Sequence, residues 1–106
     1  MTQFKHINIA DTSQHLAEGS AKICDIRDET SFKNGHIEGA FHLTNQSMAQ
    51  LINEVDFDQK VIVVCYHGHS SQGAAQYLIS QGYEDVYSLD GGFTEWAKVQ
   101  PYVTAK

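Results

Sequence analysis

The stretch VIVVCYHGHSSQGAAQYL, residues 61–78, decides the fold. Val61, Ile62, Val63 and Val64 are β-branched and apolar on both parities of a strand. Both faces of such a strand need cover, which is the pattern of a central strand in a parallel sheet. The run SSQGAAQYLISQG that follows is helical: Ala74, Ala75, Leu78 and Ile79 form one apolar stripe. Ser70 or Ser71 stands where a helix cap is expected, and Gly82 stands where the helix should end. Between strand and helix lies Cys65, at the carboxyl end of the strand. Open parallel sheets collect their working groups at that edge, so position alone makes Cys65 the leading functional candidate.

Working outward, the flanking sequence alternates strands and helices. FKHINI (residues 4–9) alternates apolar and polar residues and reads as an edge strand. DTSQHLAEG (11–19) reads as a short helix, capped by Asp11 or Ser13 and closed by Gly19. KICDI (22–26) is a compact strand. ETSFKNGHIEGA holds a helical turn stopped by Gly35, and AFHL (40–43) is strand-like. In QSMAQLINEV, Met48, Leu51, Ile52 and Val55 fall on one face of an amphipathic helix, with Asn45 or Ser47 as its cap. DVYSL (85–89) is another strand. DGGFTEWAKV closes with a turn and a helix that turns Phe93, Trp96 and Ala97 inward. The expected architecture is α/β: a central parallel sheet with helices on both faces, in a single domain spanning residues 1–106.

Composition narrows the function. The chain has 106 residues, is 42% hydrophobic and carries a formal net charge of -6. That is enough sequence for one core, and the negative charge argues against nucleic acid or an anionic membrane as partner. No stretch is apolar enough to span a bilayer, and the opening residues lack the apolar run of a signal peptide. The expected address is cytoplasmic, and a monomer is the default. Cationic side chains are scarce: six lysines and one arginine, Arg27. An anion site must therefore use backbone N–H groups, helix dipoles or histidines. The two cysteines, Cys24 and Cys65, are too few for a structural framework in a reducing compartment.

The loop after Cys65 runs Tyr66, His67, Gly68, His69, Ser70 and then enters the helix. A tight turn of this kind curls its N–H groups toward one point, Gly68 supplies the backbone freedom, and the helix adds its positive end. A cysteine at the rim of that cradle is favoured as the thiolate, which is the nucleophilic form. Two chemistries use such a loop. Cysteine phosphatases need an arginine after five intervening residues to clamp phosphate, and here that position is Ser71, with Val64 rather than a histidine before the cysteine. Sulfur transfer fits better. The thiolate takes the outer sulfur of a donor such as thiosulfate, sulfite leaves, and a second nucleophile collects the sulfur from the cysteine persulfide.

Three segments in order resemble the rhodanese family. ICDIRDETSFKNGHIEGAFHL (23–43) resembles its Asp-x-Arg and Gly-His-Ile-x-Gly-Ala signature, VIVVCYHGHSSQGAAQYL its active-site loop and helix, and VYSLDGGFTEWAK (86–98) its closing Gly-Gly-x-x-x-Trp segment. The signature-bearing part runs from about 17 to 105. The segments AFHLTN and QFKHINIAD are similar to the single-domain thiosulfate sulfurtransferases of the family. The resemblance implies a rhodanese-like fold and a persulfide on Cys65, cradled by the amides of Tyr66, His67, Gly68, His69 and Ser70. It implies thiosulfate as donor, cyanide as a test acceptor and a dithiol protein such as thioredoxin as a plausible physiological one. It implies neither metal nor organic cofactor. Where rhodaneses carry basic loop residues, this chain has His67 and His69.

Plainer readings cover the remaining residues. Cys24 is a small core residue. Cys65-x-His67-x-His69 resembles a metal motif, but three ligands from one tight turn lack the second pair that zinc sites use. Imidazoles that attract an anion when protonated, or plain exposed loop residues, are the simpler readings. His36 is a turn residue bonded to backbone rather than a base. Asp25 and Arg27 form a structural pair near the sheet edge. Phe93 and Trp96 are core, and Tyr66 walls the pocket without needing its hydroxyl. Two functions stay open: an enzyme that uses thiosulfate itself, and a persulfide carrier fed by a partner protein. Cys65 argues against a catalytically silent regulatory domain.

Overall fold

A computed structural model describes residues 3–104. The elements in chain order are β1 (Lys5–Ile7), α1 (Ile9–Glu18), β2 (Ala21–Asp25), α2 (Glu29–Asn34), β3 (Phe41–His42), α3 (Met48–Glu54), β4 (Lys60–Val64), α4 (Ser70–Ser80), β5 (Val86–Leu89) and α5 (Gly92–Val99). The five strands form one sheet in the order β1-β5-β4-β2-β3, and every pairing is parallel. β4 lies at the centre and β1 at an edge, as the apolar patterns require.

Alternation along β4 divides the core into two layers. Val61 and Val63 face Leu51, Val55, Ala75 and Leu78, so α3 and α4 cover one side of the sheet. Ile62 and Val64 face Ile7, Leu89, Phe93 and Trp96, with Leu16 and Ala97 packed alongside, so α1 and α5 cover the other. All four strand residues have no solvent exposure. Full burial of each stabilises the fold by about 1.5–3 kcal/mol. This strand therefore offers a fully buried, centrally placed support to a residue at its tip.

Local details depart from the sequence reading at three helices. α1 begins earlier than expected, because Asn8 rather than Asp11 or Ser13 is its cap, accepting from the Asp11 N–H at 2.7 Å. In α3, Leu51 faces the sheet together with Val55 just past the helix end, while Ile52 is 37% exposed. The helix is seven residues long, too short for a wide apolar face to bury completely. α4 has no side-chain cap: its N-cap is His69, and Ser70 and Ser71 lie inside the first turn. Gly35 closes α2 as expected, but for want of space. A Cβ there would stand 2.9 Å from the Tyr102 ring.

Candidate functional site

Cys65 follows the last residue of β4, and five residues, 65–69, join that strand to α4. The β5–α5 turn holds this loop in shape. Gly68 has φ +93°, and a Cβ on it would meet the Gly91 nitrogen at 3.0 Å and the Leu89 carbonyl at 3.2 Å. Gly92 lies closer still: a Cβ would meet the Tyr66 carbonyl at 2.5 Å and that of Cys65 at 2.6 Å. The first N–H groups of α5 then donate to those carbonyls, Phe93 to Cys65 at 2.8 Å and Thr94 to Tyr66 at 3.0 Å. A helix start has such donors to spare. With its carbonyls drawn outward, the loop has amides left to face the sulfur.

The Gly68 N–H donates to Cys65 Sγ at 3.1 Å, and the Ser71 hydroxyl stands 3.2 Å from the same atom. Burial pushes the Cys65 pKa up. The Ser71 hydroxyl and the backbone N–H groups of Ser71, Gly68 and His67 outweigh that effect and hold it below the ordinary cysteine value. The missing side-chain cap of α4 has its reason here. The opening of that helix faces a sulfur that can carry negative charge, which suits the orphan donors and the helix dipole.

The sulfur lies at the floor of the cradle rather than its rim, since Cys65 is only 3% exposed. Ser71, 3.2 Å from the sulfur, belongs to the first turn of α4 and is itself wholly buried. Ser71 is outside the set expected from the sequence, where it reads as a cap or as the residue in place of a phosphatase arginine. Its position on the inward side of the first helical turn, one residue from Ser70, is the signal that marks it. Tyr66, His67, His69 and Ser70 are exposed and surround the mouth. Among the described residues, Tyr66, His69 and Ser70 make no hydrogen bond to the sulfur.

The neighbouring residues form a frame. Asp25 and Arg27 are buried and paired at 2.8 Å. Arg27 also donates to the Gly35 carbonyl at 2.6 Å and lies 4.1 Å from the centre of the Phe93 ring. The one arginine is thus neutralised by Asp25 and ties β2, the turn after α2, and α5 together. The Tyr66 hydroxyl is used after all, donating to Asp28, the cap of α2, and lying 3.0 Å from Ser31 Oγ. His36 bonds through Nδ1 to the Phe32 carbonyl at 2.7 Å. Cys24 is fully buried, and burial pushes its thiol up to about 12, so it is no nucleophile near neutral pH. Both cysteines are free thiols. No group of three or more His, Cys, Asp or Glu among the described residues is placed to hold a metal ion.

Beside the loop, at the carboxyl ends of β2 and β3, a cleft of about 590 Å³ runs between residues 43–46 and Ala74 and Tyr77 of α4. Cys65 does not line it. No helix among the described residues is long and apolar enough to cross a membrane.

Comparison with known proteins agrees with this architecture. Among solved structures, a rhodanese-related protein of Thermoplasma volcanium superposes with a TM-score of 0.79 at 24% identity, covering 94% of this chain and 98% of that one. A thiosulfate sulfurtransferase of Pseudomonas aeruginosa superposes with a TM-score of 0.85 at 18% identity, covering 98% of this chain and 20% of that one. By sequence, the chain is 54% identical over 96 residues to the thiosulfate sulfurtransferase GlpE of Shewanella oneidensis, covering 91% of this chain and 95% of that protein. The rhodanese-like domain family matches residues 8–99, from the cap of α1 to the end of α5. A parallel sheet with a cysteine loop at its central strand, matched over nearly its whole length, belongs to the rhodanese-like domain family.

Proposed function

We propose that this protein is a thiosulfate sulfurtransferase in which Cys65 carries the transferred sulfur. The observation that carries the reading is the Cys65 sulfur itself, held at a rigid strand tip by the Gly68 amide and the Ser71 hydroxyl. The 54% identity to a protein of that activity over most of the chain supports it.

The thiolate attacks the outer sulfur of thiosulfate. A bond forms between Sγ and that sulfur, and the sulfur–sulfonate bond breaks, its electron pair leaving with sulfite. One negative charge remains, now on the terminal persulfide sulfur. Cyanide or an acceptor thiolate then attacks that terminal sulfur, and Cys65 departs as the thiolate that began the cycle. Inward-facing amides suit both anions without a guanidinium, since no phosphoryl group has to be clamped. The substrate site comprises Cys65 and the loop residues Tyr66, His67, Gly68, His69 and Ser70, to which Ser71 is added. His67 and His69 at the mouth attract a dianion when protonated.

A floor-level sulfur favours a small donor such as thiosulfate over delivery by a bulky partner. The persulfide carries its outer sulfur one bond further out, toward the exposed rim of Tyr66, His67, His69 and Ser70, which suits a dithiol protein of the thioredoxin kind as acceptor. We place the enzyme in the cytoplasm, where a free nucleophilic thiol is kept reduced. The test is to weigh the pure protein after incubation with thiosulfate alone. The reading expects a gain of one sulfur atom, lost on adding cyanide and absent in Cys65→Ser. No gain from thiosulfate, with a gain from a cysteine-derived persulfide donor, overturns it in favour of a sulfur carrier.

A further inference from the structure

Ser88 lies in β5, beside Val63 in the sheet register and on the same face, two residues short of Cys65. It has no solvent exposure. Packing alone would favour an apolar residue here, because a hydroxyl without a partner at such a site is costly. The partner is Ser71, whose Oγ is 2.7 Å from Ser88 Oγ. Ser71 Oγ is in turn 3.2 Å from Cys65 Sγ. Two buried neutral hydroxyls and the sulfur therefore form a line from β5 through α4 to the end of β4.

We propose that Ser88 is a positioning residue that acts on Cys65 through Ser71, setting which way the Ser71 hydroxyl points. The inference rests on Cys65 being the nucleophile. Each hydroxyl has one hydrogen to give. When Cys65 is a thiolate, its sulfur only accepts, so Ser71 donates to Sγ and Ser88 donates to Ser71. When Cys65 is a thiol and its S–H points to Ser71, the line reverses and Ser71 donates to Ser88. The charge on the sulfur and the direction of the line are thus coupled, and a donor behind Ser71 strengthens the bond that Ser71 makes to the anion. The line ends on Sγ, the atom that is anionic before attack and again when the persulfide sulfur departs. The Gly68 amide reaches the sulfur from the loop, and the line of two serines reaches it from α4 and β5.

The ionisable groups carried by the elements around the sulfur are His67, His69 and Tyr66 of its own loop, Lys60 of β4, Cys24 and Asp25 of β2 with Arg27 just beyond it, Tyr87 of β5 and Asp90 after it, Tyr77 of α4, and Glu95 and Lys98 of α5. Removing a neutral serine changes none of these charges. The rate of Cys65 alkylation by iodoacetamide, followed by mass against pH, reads the thiolate directly and needs no sulfur-transfer activity. It is measured in the wild type, Ser71→Ala, Ser88→Ala and the double variant. Val86→Ala, which loses packing on the same strand face, is the control for structural loosening. The proposal expects Ser88→Ala to move the inflection upward, with about a threefold smaller thiolate fraction at neutral pH. It expects Ser71→Ala to move it further, the double variant to match Ser71→Ala, and Val86→Ala to leave it in place. An inflection unchanged by Ser88→Ala overturns the proposal. So does an equal shift from Ser88→Ala when Ser71 is already absent, or a matching shift in Val86→Ala. Failure of the wild type to take sulfur from thiosulfate would instead overturn the proposed function and leave these shifts standing.

Discussion

Replacing Gly92 with alanine tests how the loop is held. Gly92 has φ +61°, and its added Cβ would lie 2.5 Å from the Tyr66 carbonyl oxygen and 2.6 Å from that of Cys65. Both obstacles are backbone, so neither can swing aside as a side chain would. The left-handed conformation costs a residue with a Cβ about 1–2 kcal/mol. Opening the contact from 2.5 Å to beyond 3.0 Å stretches the bonds from Phe93 and Thr94 to the same carbonyls. Each is worth about 0.5–1.5 kcal/mol, which brings the expected loss to about 2–5 kcal/mol. A domain of this size has only about 5–15 kcal/mol to lose, so the urea midpoint should fall clearly. The turned carbonyls should also let the loop amides drift, slowing alkylation of Cys65 in the fraction that remains folded. Gly73→Ala is the matched control. It lies on α4 with nothing within 4 Å of the added carbon, and should gain about 0.5–1 kcal/mol of helix propensity. If Gly92→Ala unfolds within about 0.5 kcal/mol of the wild type, the range of an ordinary surface change, with unaltered alkylation, then the turn does not brace the loop and the account of the inward amides fails.

Ser71→Ala should raise the Cys65 pKa, since the bond it removes is to a charged group and is worth about 1.5–3 kcal/mol. Alkylation should then be slower than wild type below both inflections and faster above them, because a more basic thiolate is the better nucleophile; pH–rate curves that never cross would contradict this. Cys24, pushed up to about 12 by burial, keeps its proton in the folded chain after the unfolded chain has lost it. Stability from this group is therefore intact below the unfolded thiol value and is lost as pH rises toward the folded one, by about 1.4 kcal/mol per unit. Cys24→Ala should flatten that alkaline decline relative to wild type in urea titrations between about pH 8 and 11, and parallel curves would refute it. Breaking the buried Asp25–Arg27 pair with Arg27→Met should cost about 3–5 kcal/mol by leaving a carboxylate unpaired. Replacing both as Asp25→Leu with Arg27→Met should recover part of it in thermal unfolding, whereas equal losses would show that the charge is not the issue.

The reach of the sequence is uneven, for physical reasons. β4 was plain because four consecutive apolar β-branched residues fit a strand covered on both sides and little else. The loop was plain because a cysteine between such a strand and a helix has few structural uses. Helix starts were less so: Asn8, Asp11 and Ser13 are all good caps by type, and only the path of β1 into α1 selects Asn8. Ile52 matches the apolar stripe of α3, yet its exposure depends on how that short helix lies on the sheet.

Periodicity and short motifs are local properties, and they were enough for the parallel α/β architecture, the family signature and the place of Cys65 at the carboxyl end of the central strand. The tertiary structure decided what surrounds the sulfur. Ser71 and Ser88 are 17 residues apart, and Gly91 and Gly92, which lie against the loop, follow β5, the neighbouring strand. Local pattern carries no record of such distances. Which hydroxyl meets which sulfur is fixed only when β5 pairs with β4 and α4 closes over them.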